Sequence, residues 1–316
     1  MSLLNKRFKT PYNTAPFSKI KTEHFLPAFI KAIEDAKIEI SEIADSKEKP
    51  TFTNTIEALD YAGEQLDRIS SLFFNLNAAE TNESVQKIAQ EVSPLLTEFS
   101  NDVALNKPLF ERVKLVYSSG KSLALSEEQK TLLEKKYKGF SRNGANLNKQ
   151  DKNTLRSIDK ELSKLKLSFG ENILAETNRY ELLISDISEL TGLPEGAIEA
   201  AKQIAEEKNK KGWLINLDYP SYIPFMTYSK NRALRKELAL AFGRKGFQND
   251  ALDNQEIVLK LTQLRFKRAQ ILGYQTHAHF VLEERMAKRP ENVRNFLEEL
   301  LKKALPAAKK EFQELE

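Results

Sequence analysis

The side chains able to hold a metal or move a proton near neutral pH are few in this chain. Its 316 residues include three histidines, His24, His277 and His279, and no cysteine. Thiolate catalysis, disulfides and cysteine-ligated zinc are thereby excluded. A helical zinc-protease motif needs two His four residues apart, so that both imidazoles reach one metal, and a Glu beside the first to activate the bound water. No HExxH occurs in these residues. His277 and His279 are two apart and point to different faces of a helix. His279 and Glu283 are four apart and could share a metal, but one such pair is a weak signal in a chain this rich in Glu. His24 reads as a partly exposed residue in the first turn of a helix. GxSxG, P-loop and GxGxxG are all absent, so no nucleophile elbow or phosphate cradle is present. The residues assign no catalytic group and no metal ligand, and they leave the substrate-binding residues unassigned.

The elements around these residues read as helices. Thr22 can cap a first helix carrying Phe25, Leu26, Phe29, Ile30 and Ile33. Asn54 and Glu57 form a capping-box pattern that opens a long helix through Leu59, Leu66, Ile69, Phe73 and Leu76. Further helices start near Asn82, with Pro94 expected to kink the chain, and near Pro108. Ser126 and Gln129 make a second capping box, and Gly144 suits the position just after that helix. Asn148 opens a helix to about Asn178, in which Gly170 reads as a point of close packing. Asp253 and Glu256 give a third capping box, Gly273 ends its helix, and Pro290 starts the last one. That last helix carries Val293, Phe296, Leu297, Leu300, Leu301, Leu305, Phe312 and Leu315, and its apolar stripe still runs at Glu316. Residues 1–20 read as an extended arm.

One stretch departs from the helical pattern. Trp213 to Arg235 holds the only Trp, Pro220 and Pro224, and the tyrosines Tyr219, Tyr222 and Tyr228. Trp213, Ile215 and Leu217 alternate with Leu214 and Asn216, as a strand requires. Tyr180–Ile184 is the natural partner strand, and residues 223–228 could add a third. Ser229 reads as the cap of the following helix. The fold class is therefore mainly α, a multi-helical lobe with one small sheet or hairpin at about 179–185, 213–217 and 222–228. The stretch is either a structural clasp or part of a binding surface.

Composition narrows the function classes. Lys and Arg total 49 against 45 Asp and Glu, a net charge of +4. That near balance gives no electrostatic footprint for nucleic acid or anionic lipid. No window approaches a membrane span, and the polar N-terminus has no signal-peptide core. The cytoplasm is the expected compartment.

The wording of the segments carries more than their periodicity. IKTEHFLPAFIKAI, TFTNTIEAL, SSLFFNLNAAETN, RNGANL, LSFGENILAETN, GLPE, YPSYIPFMTYSKNRALRKEL and VLEERMAKRPENVRNFLEEL occur in this order. Together they resemble the N-terminal half of bacterial peptidyl-dipeptidases (dipeptidyl carboxypeptidases), in the thimet-oligopeptidase-like family of zinc metallopeptidases. Oligopeptidase A is the neighbouring branch. The resemblance runs from about Pro11 to Glu316.

What the resemblance implies is a largely helical, two-lobed enzyme around a deep channel. Its zinc would be held by an HExxH helix and a downstream Glu in the second half. None of those positions falls in this chain, so no site residue is carried over. The expectation is that residues 1–316 are the N-terminal helical lobe of a longer peptidase. That lobe would form a wall of the channel and lack zinc and activity by itself. Its partners would be short peptides and the second lobe, with no nucleic acid and no membrane. The alternative class is a stand-alone helical scaffold that binds peptides without cleaving them.

Overall fold

The computed structural model describes residues 3–120 and 124–316. Two compact units emerge, one formed by Met1–Lys164 with Thr262–Glu316 and the other by Leu165–Leu261.

In the first unit, the described part of the N-terminal arm is a run of short turns rather than an extended strand. The turns are Leu3–Asn5, Pro11–Asn13, Phe17–Lys19 and Thr22–His24. Met1 and Ser2 lie outside the described residues. The first helix, α1 (Phe25–Asp45), buries Phe25, Ala28, Phe29, Ile33 and Ile40 along one stripe. Phe73 meets Phe25 and Phe29 edge-on at ring separations of 5.0 and 5.5 Å. Such pairs add roughly 0.5–1.5 kcal/mol to the burial of the rings themselves.

The next helix begins differently from the expected Asn54–Glu57 box. Thr51 is the cap, and Asn54 occupies the third position. The Asn54 N–H donates to Thr51 Oγ1 at 3.1 Å, and the Thr51 N–H donates to Asn54 Oδ1 at 2.8 Å. A wide π-helical turn, Phe52–Glu57, leads into α2 (Ala58–Tyr61). The long helix expected from there is interrupted at Gly63, whose φ of +84° ends one segment and starts α3 (Glu64–Ala79).

Asn82 caps α4 (Glu83–Ala104) through the Val85 N–H at 3.1 Å. Pro94 is accommodated inside that helix. Asn106 caps α5 (Lys107–Ser119), and Ser126 with Gln129 caps α6 (Glu127–Arg142) in the expected reciprocal box. Phe110 is the centre of the core between them. It is buried and lies 5.9 Å from the rings of both Tyr137 and Phe140. Arg112 is also buried and donates to the Ser46 and Glu48 carbonyls at 2.9 and 3.0 Å.

Gly144 has φ +95°, and a Cβ there would meet Leu147 at 2.8 Å. Both facts require glycine where α6 turns into α7 (Lys149–Arg179). Gly170 behaves otherwise. A Cβ at that position meets nothing within 4 Å, so the close packing expected of it is absent. The first unit closes with α12 (His277–Leu282) and α13 (Pro290–Leu315). The unit boundaries fall inside α7 and inside α11 (Gln255–Ile271).

The second unit contains the sheet. Strands β1 (Leu182–Ile184) and β2 (Trp213–Ile215) run antiparallel, with Leu182 opposite Ile215 and Ile184 opposite Trp213. This is the expected pairing, over a shorter span. Gly212, at φ +110°, is needed because a Cβ would lie 2.3 Å from the Ile184 carbonyl oxygen. Helix α8 (Glu195–Glu207) packs on β2.

The third strand expected at 222–228 does not form. Residues Tyr219–Tyr228 are a helix, α9. Pro220 sits in its first turn, where a missing N–H costs little. Pro224 is the sixth residue, so its ring removes only the bond that would reach back to Pro220. Phe225 is fully buried and anchors α9 to a core of Leu182, Ile184, Leu190, Ile215 and Leu238. The following helix, α10 (Arg232–Gly243), is capped by Asn231, which accepts from the Leu234 N–H at 3.2 Å. Ser229, the expected cap, instead accepts from the Asn231 N–H.

Candidate functional site

The three histidines are held by local contacts. His24 Nδ1 accepts from the Lys21 N–H at 3.1 Å. His279 Nδ1 lies 2.8 Å from Thr276 Oγ1, and its Nε2 is 3.8 Å from Glu291. The His277 ring stacks 6.4 Å from Phe280. Glu283, the conceivable co-ligand of His279, faces other partners. It accepts from the Tyr274 hydroxyl at 2.6 Å and is paired with Arg142. The Tyr274 bond, then Arg142, hold its carboxyl below the usual range against the opposing effect of burial. Burial pushes the Tyr274 hydroxyl up. Among the described residues, no three His, Asp or Glu side chains converge as metal ligands would. The residues present do not fit a zinc site.

What the sequence did not reveal is the construction around Glu283. The Arg142 guanidinium also donates to the Tyr274 hydroxyl at 3.2 Å and to the Phe280 carbonyl. It lies 4.8 Å from the Phe280 ring centroid, and Arg268 lies 5.0 Å from the same ring. Arg268 in turn pairs with Asp159 at 2.7 Å, both side chains largely buried. Phe280 thus sits against two guanidiniums, each with a carboxylate partner. This arrangement ties α6, α7, α11 and α12 together within the first unit. Two arginines more than a hundred residues apart leave no periodic signal by which to pair them.

In the second unit, the aromatic stretch is divided between two roles. Phe225 is core, whereas Tyr219 and Tyr228 are exposed. Tyr222 stacks on Phe242 at 4.2 Å, and Lys245 Nζ lies 3.9 Å from that ring's centroid. Nearby, burial and then the Glu237 carboxylate push the Tyr180 hydroxyl up to about 12, so it stays protonated.

Two concave surfaces of the first unit bear on a site. One is a cleft of about 460 Å³ lined by residues of α1, α2, α3, α4 and α6. Its volume falls within the range of small-ligand sites. The other is a shallow groove along α13, lined by Pro290, Val293, Leu297 and Leu301. No residue of α13 is buried, and Phe296, Leu297, Leu300, Leu301, Leu305 and Phe312 are all exposed. An apolar stripe of that extent on one helix marks a contact surface.

Known proteins place this architecture. The neurolysin/thimet oligopeptidase N-terminal domain matches residues 29–152, and peptidase family M3 matches residues 225–316. The chain is similar to peptidase family M3. It is 34% identical over 307 residues to the dipeptidyl carboxypeptidase of Escherichia coli, covering 97% of this chain and 45% of that protein. It is also 34% identical over 306 residues to the oligopeptidase A of Haemophilus influenzae, covering 95% and 44%. The oligopeptidase A of Escherichia coli follows at 32% over 310 residues, covering 97% and 46%. The two branches are thus matched to the same degree. The chain spans less than half the length of these relatives. No helix among its described residues is long and apolar enough to cross a membrane.

Proposed function

We propose that these residues form the N-terminal, non-catalytic part of a zinc metallopeptidase that cleaves short peptides and releases dipeptides from their C-termini. The observation that carries this reading is the ordered match to an M3 N-terminal domain and then to the M3 peptidase region, in 316 residues that contain no HExxH. In this reading the chain is a wall of the peptide channel. The exposed apolar face of α13 receives the remaining portion of the peptidase. The chain alone binds no catalytic zinc and is inactive.

Two measurements test it. The purified 316-residue chain, supplied with zinc and a short peptide, should release no dipeptide. Chelator-sensitive cleavage would overturn the assignment of catalysis to another part. A chimera in which this chain replaces the matched portion of the Escherichia coli dipeptidyl carboxypeptidase should release C-terminal dipeptides. A chimera that folds by circular dichroism, binds zinc and leaves short peptides uncut counts against the channel role.

A further inference from the structure

The 460 Å³ cleft of the first unit has a floor and two unlike rims. Ile40, Leu59, Leu66 and Phe140 form a buried apolar floor. On α3, Asp67 and Ser70 are three residues apart and therefore share a helix face. Both line the cleft, and Ser100 joins them from α4. On a different helix, α6, Lys135 and Lys136 also line the cleft. The two lysines differ. Lys136 is neutralised by Asp60 at 2.8 Å, whereas Lys135 is exposed at the rim and makes no ion pair among the described residues. Among the described residues the Asp67 carboxylate, too, has no hydrogen bond or ion pair. Partial desolvation, opposed by the Lys136 charge, pushes the carboxyl of this exposed residue upward. A carboxylate and two hydroxyls over an apolar floor present acceptors to a donor-rich cation. A lysine on α6 presents a charge to an anion.

We infer that this cleft binds a small apolar zwitterion, an amino acid or short peptide with both termini free. Its ammonium would lie against Asp67 and Ser70, its carboxylate toward Lys135, and its aliphatic or aromatic side chain on the Ile40–Leu66 floor. A cation alone would leave Lys135 unanswered, and an anion alone would leave Asp67 unanswered. A wholly apolar ligand would bury Asp67 without a donor, which is costly. The dipolar ligand is the one that satisfies both rims. This inference does not rest on the peptidase reading, since the cleft lies wholly within the described first unit.

Gly139 supplies the means of testing it. It lines the cleft on α6, and a Cβ there meets nothing within 4 Å. Gly139→Leu should therefore occlude the cleft without disturbing the helix, and it replaces a poor helix former by a good one. The dipeptide Leu-Leu, N-acetyl-Leu-Leu, Leu-Leu amide and free leucine are titrated calorimetrically into the full chain and its variants.

Saturable binding of Leu-Leu is expected. Acetylation, or Asp67→Asn, should weaken it about tenfold or more, the loss of a charge-assisted contact. Amidation, or Lys135→Gln, should weaken it as well. Gly139→Leu should abolish it with the melting temperature unchanged or raised. Free leucine binding as well as Leu-Leu assigns the site to amino acids, and weaker leucine binding assigns it to peptides. No saturable binding of Leu-Leu at millimolar concentration overturns the inference. So does equal binding of the acetylated and free forms, or full binding by a folded Gly139→Leu variant.

Discussion

Arg142→Ala should loosen α12 selectively. The wild-type guanidinium joins α6 to the Tyr274–Glu283 segment through the Glu283 carboxylate, the Tyr274 hydroxyl, the Phe280 carbonyl and the Phe280 ring. A hydrogen bond to a charged group contributes about 1.5–3 kcal/mol and a neutral one about 0.5–1.5. A desolvated cation–π contact adds about 0.5–2. These do not sum, because the partners relax together. Glu283 keeps 48% of its side chain exposed, so water can replace part of what it loses, whereas Arg142 itself is only 16% exposed. The expected cost is about 2–3 kcal/mol, at the low end for a broken buried pair.

The assay must be local, because a chain of two compact units need not unfold as one. Hydrogen exchange of the amides that close α12, those of Phe280 and Glu283, reports its opening directly. At about 1.4 kcal/mol per tenfold, the variant should speed their exchange roughly 30- to 150-fold, with α1 amides unchanged. Arg142→Lys should recover about half of that protection, since it keeps the charge but not the fork or the flat face. Exchange at α12 within about threefold of wild type in Arg142→Ala would refute the account of these contacts as a latch.

Gly144 and Gly170 should respond with opposite signs. Gly170→Ala should raise stability by about 1 kcal/mol, as its Cβ meets open space. Gly144→Ala should lower it by at least 1–2 kcal/mol, through left-handed backbone and the Leu147 contact; thermal melts of both variants check this. Leu300→Glu with Leu301→Glu should change stability by no more than about 0.5 kcal/mol per site and reduce self-association, read by melting and light scattering. A large loss would place these side chains in a core. Acid should weaken the latch. Glu283 titrates lower in the folded chain than unfolded, so its contribution is complete above the unfolded value of about 4.3 and is lost as pH falls through the lowered folded value. Wild-type α12 exchange should therefore accelerate below about pH 4.3 more than in Glu283→Gln, and parallel profiles would count against it.

The features legible in the sequence were those decided by a few adjacent residues. Asn82, Ser126 with Gln129, Gly144, Gly273 and Pro290 each act at a helix end through contacts made within a few positions, and each stands where their types require. The pairing of residues 182–184 with 213–215 was legible from the alternation of Trp213, Ile215 and Leu217 beside a second short apolar run. Errors arose where two local readings competed. Thr51 and Asn54 both suit a cap three residues before a partner, and the reciprocal bonds select the earlier one. Residues 219–228 carry β-formers and two prolines, yet Pro220 falls where a helix tolerates it and Phe225 reaches its core from a helix. Long-range pairings such as Arg268 with Asp159, or Phe280 with two guanidiniums, have no one-dimensional trace at all.

The same distinction explains why family resemblance, rather than geometry, carries the functional reading. A polar side chain is free for binding when the fold does not already use it. Arg112, Arg142, Arg268, Glu176 and Glu283 are each committed to a partner within their own unit. The histidines are engaged by a backbone N–H, a hydroxyl or a ring. These groups hold helices in place, and their substitution should read out as stability. Asp67, Ser70, Ser100 and Lys135 differ. They line a cleft with an apolar floor, and among the described residues their side chains make no hydrogen bond or ion pair. A fold that leaves acceptors on one rim of a cleft and a charge on the other has set out the chemistry of what can enter. Substitutions there should read out as binding, with stability little changed. That separation of effects, more than any single distance, distinguishes a site from a scaffold in this chain.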